Sequence, residues 1–218
     1  MGDRIGRGQA AFPFHHGRIS LSFVGTVGDR GSLNTERLRA PGDLAAWLTA
    51  AGLPAGDAVP TEPVYRRALR LREAIAKAVR AVVAGGRPSR EDVSFMNELA
   101  RRWAPRARLD FNTLTLLTSG RDPVQTSLGR LATDAIELLG EPEARSRLRA
   151  CAVETCAAIF LTTPGRRERR WCSMARCGNR AKVTAFRTRA DQTNAAAKQP
   201  RRSDTIPVLG TRREAEAG

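Results

Sequence analysis

The 218-residue chain has few of the features that catalytic or membrane proteins require. Histidine occurs only twice, at the adjacent positions His15 and His16, and no Ser–His–Asp set, glycine-rich phosphate loop or paired acidic cluster stands out. No apolar stretch is long enough to span a bilayer, and no apolar run of the signal-peptide kind follows Arg4 and Arg7. We therefore expect no enzymatic activity and no membrane partner, and we expect the protein to be cytoplasmic.

Positive charge, in contrast, is abundant and unevenly distributed. Thirty-seven Lys and Arg residues stand against 22 Asp and Glu, for a formal net charge of +15, and 34 of the 37 are arginine. Such a surplus favours polyanionic partners such as nucleic acid, although a similar arginine bias arises from GC-rich coding. Residues 141–190 carry 12 basic and 4 acidic side chains, whereas residues 1–140 carry 20 and 14. The densest positive segment therefore lies in the last third of the chain.

Hydrophobic periodicity divides the chain into four segments. Residues 1–17 are glycine-rich and are predicted to be flexible, and residues 18–145 are predicted to form a mainly helical domain with a minor β-hairpin. Residues 146–190 are predicted to form a small β-hairpin–helix module. Residues 191–218 are polar with little apolar content, which predicts a disordered tail.

Within the helical domain, local signals predict where elements begin. Four residues mark helix starts by capping or by proline in the first turn: Pro41, Thr61, Ser89 and Asp122. Apolar stripes at helical spacing follow each of them and predict the core, including the aliphatic stem of Arg72. Residues 19–27 are apolar and fit either a strand or a buried helix, and residues 107–118 alternate in the manner of a short hairpin.

All four cysteines lie within 27 residues, as two C-x4-C pairs separated by fifteen residues: Cys151, Cys156, Cys172 and Cys177. In a reducing compartment such clustered thiols are more typical of metal ligands than of disulfides. Two close pairs can place four thiolates around one ion, which is the usual structural zinc arrangement and leaves no open position for catalysis. We predict one structural Zn²⁺ that stabilises the module; unliganded thiols, a disulfide or another metal are the alternatives.

Arginines crowd the segment between and after the cysteine pairs. A helix is predicted from Ser173 to about residue 189, and at 100° per residue Arg176, Arg180 and Arg187 would lie within about 40° of one another. Nine residues are candidate nucleic-acid contacts: Arg166, Arg167, Arg169, Arg170, Arg176, Arg180, Lys182, Arg187 and Arg189. Lys182 and Arg189 would form a second basic stripe on this helix. A solvated basic face is the alternative, and Val183 and Phe186, between the two basic stripes, would suit a protein partner.

The same segment resembles a known family, the CGNR zinc finger. The resemblance rests on residues 151–156 (CAVETC), 159–161 (IFL), 169–174 (RRWCSM) and 177–182 (CGNRAK). Upstream, Phe23, Val24 and Thr26 and residues 36–38 and 43–48 resemble the ABATE domain that usually precedes this finger. The resemblance implies a bacterial, stress-induced transcription regulator with zinc on the four cysteines, DNA binding by the finger and an unknown small-molecule effector at the N-terminal domain.

The chain departs from the family pattern at two places. Residues 22–26 read Ser-Phe-Val-Gly-Thr where the family often has Asp-Phe-Val-Asn-Thr, which puts a ligand pocket at this position in question, and Thr162 stands where the family often has Asp. A DNA-binding regulator is the first hypothesis for the function. The alternatives are a thiol–zinc redox switch, in which oxidation releases the metal, and a module that binds RNA or protein.

Overall fold

Most of the predicted helix starts are confirmed in a computed structural model of the chain. The structure describes residues 12–119, 122–165 and 169–198. Four long helices follow the predicted start signals: α2 (Pro41–Ala50), α3 (Glu62–Val83), α4 (Arg90–Trp103) and α5 (Pro123–Gly140). Ser89 accepts a hydrogen bond from the Asp92 backbone N–H, and Asp122 accepts from those of Val124 and Gln125, as N-caps do.

The shorter elements complete a mainly helical fold. The ambiguous apolar segment begins as helix α1 (Ile19–Val24), and α6 (Pro142–Ser146) follows α5. The described residues include three antiparallel pairs of short strands: β1 (Val27–Gly28) with β2 (Thr35–Glu36), β3 (Arg106–Leu109) with β4 (Leu116–Ser119), and β5 (Leu148–Ala150) with β6 (Ile159–Leu161). A π-helical turn (Met174–Gly178) leads into α7 (Asn179–Lys198). The predicted fold class is confirmed.

Helices α1, α3, α4 and α5 pack around one hydrophobic core. Helix α3 contributes Leu71 and Ile75, and α5 contributes Leu128 and Leu131, all of which are fully buried. Gly129 allows α5 to approach α4 closely, because a Cβ at this position would overlap the backbone at Trp103 and Ala104. None of the described helices is long and apolar enough to cross a membrane.

Arg72 is buried together with its charged head, which corrects the expectation that only its stem lies in the core. It is 4% exposed and makes a bidentate pair with Glu36, at 2.7 Å for both N···O distances. Its Nε lies 3.0 Å from Glu73, whose carboxylate also accepts both terminal nitrogens of Arg30 at 2.8 and 2.9 Å. This network fixes strand β2 and the loop before it to helix α3.

Both ends of the described chain contain structure within the segments predicted to be flexible or disordered. His16, in the segment predicted to be flexible, is buried, and its carbonyl oxygen accepts a hydrogen bond of 2.8 Å from the Leu161 N–H. Helix α7 continues to residue 198, into the segment for which the sequence predicts a disordered tail. Residues 1–11 and 199–218 lie outside the described residues.

The described part of the chain divides into two units, one up to Asn179 and the other from Arg180 onwards. Within the first unit, strand β6 contributes to two different clusters, because successive side chains of a strand point to opposite faces. Ile159 and the neighbouring Leu148 belong to the core of the helical domain, whereas Phe160 packs with the four cysteines. The hairpin β5–β6 therefore shares a core with the helices before it.

Candidate metal centre and basic surface

The four cysteine sulfurs converge on one point. All four residues are buried, and their Sγ atoms lie within 4.8 Å of one another. The Sγ of Cys172 lies 3.6 Å from that of Cys156 and 3.6 Å from that of Cys177. Four sulfurs at about 2.3 Å from a tetrahedral Zn²⁺ are about 3.8 Å apart, so the spacing suits this ion. The donor set and its geometry fit one structural zinc ion, as predicted.

The first pair of cysteines lies in the loop that joins β5 to β6, and we name residues 151–156 the zinc knuckle. The Cys151 N–H donates to the Ala158 carbonyl at 2.8 Å, and the Cys156 N–H donates to the Val153 carbonyl at 2.9 Å. Directly after the knuckle, Ala157 has a φ of 47°, which is uncommon for a residue with a Cβ. This left-handed residue turns the chain back into β6 and leaves both sulfurs on the same side.

The second pair is placed by the π-helical turn. Ser173 caps the turn, and its carbonyl accepts from the N–H groups of Cys177 at 2.9 Å and Gly178 at 3.0 Å. The bond to Gly178 spans five residues, which makes the turn wider than an α-helical one. Met174 occupies the space beside Gly178, because a Cβ there would come within 2.9 Å of the Met174 sulfur. The turn brings Cys177 back over Cys172.

Close contact between the thiols shifts their pKa values in opposite directions. Hydrogen bonds from the thiols of Cys156 and then Cys172 lower the pKa of Cys151. The reciprocal bond to Cys151 raises the pKa of Cys156 to about 12, and bonds to Cys151 and Cys156 raise the pKa of Cys172. These contacts thus favour the thiolate of Cys151 and disfavour those of Cys156 and Cys172. A bound divalent cation removes this conflict, since it stabilises every coordinating thiolate.

Four arginines precede Trp171 in the finger segment. The two nearest to Trp171 differ in their burial and contacts, and the other two lie outside the described residues. Arg169 is half-buried: its guanidinium lies 4.3 Å from the centre of the Phe160 ring and donates to the His15 carbonyl at 3.1 Å. Arg170 is exposed, with its guanidinium 5.4 Å from the Trp171 ring centre. Arg166 and Arg167 are the two that are not described. Of this group, Arg169 serves packing within the protein.

Arg176 has a partner in the helical domain, since its Nη2 lies 3.5 Å from an Asp29 carboxylate oxygen. It also lies within the π-helical turn, where the angle between residues is smaller than 100°. The predicted common stripe with Arg180 and Arg187 assumed a uniform α-helix from Ser173 onwards. That assumption is wrong for residues 174–178.

Helix α7 by itself presents basic and apolar side chains to solvent. Three basic residues are exposed: Lys182, Arg187 and Arg189. Arg180 is half-buried and is seven residues before Arg187, which places both on one side of the helix. Val183 is 49% and Phe186 70% exposed, and both lie between the two basic stripes. From residue 179 to residue 190 the helix carries no acidic side chain.

The sequence did not indicate that the imidazole of His16 is buried. Its ring lies against Gly25, where a Cβ would overlap the imidazole, so the glycine leaves room for this ring. The cavity beside it, lined also by Val24, Arg30 and Ala158, measures about 10 Å³, which is room for one water molecule at most. An open cleft of about 480 Å³ lies at the end of α3, with Arg87 and Arg145 in its lining.

Two family models match the chain, one over most of the helical domain and one over the segment that holds the cysteines. Residues 17–142 match the ABATE family, whose description reads "Putative stress-induced transcription regulator". Residues 147–190 match the CGNR zinc finger, and this range contains all four converging cysteines. A search of curated proteins finds no match.

Proposed function

Because the chain belongs to the ABATE family and carries a CGNR zinc finger, we propose that it is a transcription regulator that binds DNA through the basic side chains of the finger segment, chiefly those of α7. The observation that carries the proposal is the row of exposed cations on α7: Lys182, Arg187 and Arg189. Residues 179–190 contain four basic side chains and no acidic one, so this stretch of helix carries a high local positive charge.

Exposed cations on a helix suit the phosphate backbone. Arginine can donate two parallel hydrogen bonds to a phosphate or to the O6 and N7 atoms of guanine, and lysine contributes a point charge. Bound zinc supplies a crosslink between the zinc knuckle and the π-helical turn from which α7 begins. The site is closed by four protein ligands, so the role proposed for the metal is structural and no enzymatic activity is proposed. Four reduced thiols suit a reducing compartment, which favours the cytoplasm.

The experiment is fluorescence anisotropy with duplex DNA at several salt concentrations. The triple variant Lys182→Ala, Arg187→Ala, Arg189→Ala should bind more weakly, and each lost phosphate contact should reduce the salt slope by about 0.9. A matched control removes three exposed arginines of the helical domain: Arg39→Ala, Arg90→Ala and Arg101→Ala. Both triple variants lose the same charge, so only a local interface distinguishes them.

Equal affinity and equal salt slope in the two triple variants, with zinc still bound, would contradict the proposal. Val183→Ser and Phe186→Ser would then be the informative changes, because the exposed apolar strip between the stripes favours a protein partner as the second candidate function. A loss of affinity restricted to one preferred sequence, of about 1–3 kcal/mol for a single arginine, would instead indicate that the residue reads a base. The thiol–zinc redox switch stays a prediction.

A further inference from the structure

The loop of residues 29–34, which joins β1 to β2 in the helical domain, lies against the backbone of the zinc knuckle. At Gly31 the approach is so close that a Cβ would overlap the carbonyl oxygen of Glu154 and lie 3.2 Å from the Cα of Thr155. The Ser32 hydroxyl donates to the Thr155 carbonyl at 3.2 Å. Both contacted residues lie between Cys151 and Cys156, so the loop 29–34 contacts the main chain that carries the first two zinc ligands.

The same loop also reaches the second pair of ligands. Asp29, at its start, pairs with Arg176, which directly precedes Cys177 in the π-helical turn. The pair is partly exposed, with an N···O distance of 3.5 Å, so by itself it contributes little to stability. Its position matters more, because one short loop contacts both segments that must come together around the metal.

The shape of the loop 29–34 is fixed by the helical domain. Asp29 and Asn34 both adopt left-handed conformations, with φ of 47° and 49°. The Asp29 carbonyl accepts hydrogen bonds from the N–H groups of Ser32 at 2.9 Å and Asn34 at 3.1 Å. Arg30, between them, is held by its bidentate pair with Glu73 on helix α3. The loop therefore presents Gly31 and Ser32 in a position determined by α3.

We propose that the loop 29–34 is a positioning element of the zinc site, which holds the zinc knuckle so that the four sulfurs converge. Retention of zinc by the finger then depends on the conformation of the helical domain, and by linkage the loop is stabilised when zinc is bound. A ligand or a change that moves α3 relative to this loop would alter zinc retention without contact with any cysteine. This inference is independent of DNA binding, since it concerns only contacts within residues 29–177.

The test measures the rate at which zinc passes from the zinc-loaded full-length protein to a chromophoric chelator. Gly31→Ala should release zinc roughly 10 to 100 times faster, which is the size of effect that residues supporting metal ligands usually have. Gly42→Ala is the matched control, because a Cβ there meets nothing within 4 Å and neither glycine has a positive φ. Ser32→Ala, which removes one hydrogen bond and adds no bulk, should accelerate release by a smaller factor.

Hydrogen exchange supplies the second measurement and a check on folding. Slow exchange in helix α3 should persist in Gly31→Ala, and removal of zinc from the wild-type protein should speed exchange in residues 29–34. If Gly31→Ala and Ser32→Ala release zinc at the rate of Gly42→Ala, the proposal is overturned. It is also overturned if zinc removal leaves exchange in the loop unchanged. Should Gly31→Ala unfold, the decision rests on Ser32→Ala and on exchange in the wild-type protein.

Discussion

Three successive residues of strand β6 should give two different kinds of defect when changed to alanine. Ile159 is buried in the core of the helical domain and Leu161 packs against that core, whereas Phe160, between them, is fully buried against the four cysteines. Ile159→Ala and Leu161→Ala should therefore destabilise the helical domain. Phe160→Ala should chiefly weaken the zinc site, because it removes the ring on which the ligands pack.

The size of each effect follows from burial. Truncation of a buried isoleucine to alanine costs about 2–5 kcal/mol, and truncation of a buried phenylalanine about 3–5 kcal/mol. For a chain of this length, each kcal/mol lowers the melting temperature by about 2–4 °C. Ile159→Ala should thus lower the melting temperature of the helical domain by roughly 4–20 °C, and Leu161→Ala by less, since Leu161 is only partly buried.

Two assays separate the outcomes. Thermal unfolding followed by far-ultraviolet circular dichroism reports on the helices, and zinc transfer to a chelator at 25 °C, well below the transition, reports on the metal site. We expect Ile159→Ala to melt early with near-normal zinc release, and Phe160→Ala to release zinc faster than Ile159→Ala does. If all three variants showed the same ratio of the two effects, the assignment of the faces of β6 to separate clusters would be wrong.

Two further predictions concern pH and metal removal. Burial, and after it the positive charges of His15 and Arg169, lower the pKa of His16 from 6.5 to about 4, so the unfolded chain binds a proton in this range that the folded protein does not. The contribution of His16 to the free energy of unfolding should therefore fall by about 3 kcal/mol as the pH drops from 6.5 to 4. In urea titrations, the free energy of unfolding of His16→Phe should depend less on pH than that of the wild type. An equal dependence would refute the lowered pKa of His16. Chelation of zinc should lower the melting temperature of the helices, because Leu148 and Ile159 of the hairpin β5–β6 are part of the core of the helical domain. A melting curve unchanged by chelator would show that the helical domain and the zinc site are independent.

The features that the sequence predicts correctly are those set by neighbours along the chain. Ser89 and Asp122 cap helices because a side-chain oxygen there reaches N–H groups two or three residues on. The C-x4-C pairs indicate metal because each pair needs only one turn to bring its sulfurs together, and four thiolates have few other stable arrangements. The ligand set was therefore accessible from spacing alone.

The features that the sequence did not reveal depend on contacts between distant segments. Arg72 occupies an ordinary core position of an amphipathic helix, and its pairing with Glu36 depends on how the β1–β2 loop folds back. The buried state of His16 requires Leu161 and Gly25 to be in place, and no local pattern signals that. The π-helical turn likewise depends on the position that Cys177 must occupy, so a uniform 100° per residue misplaced Arg176.

The alternation along β6 bears on how such proteins can be recombined. A zinc finger is often regarded as a cassette that can be moved between proteins, but residues 146–190 taken alone would expose Leu148, Ile159 and Leu161 as one apolar face. A fusion that transplants this segment to a new host must offer a complementary surface or replace those three side chains with polar ones. We expect functional exchanges between relatives to preserve the finger together with the α3 surface that contacts strand β5, so that the two families are inherited as one unit.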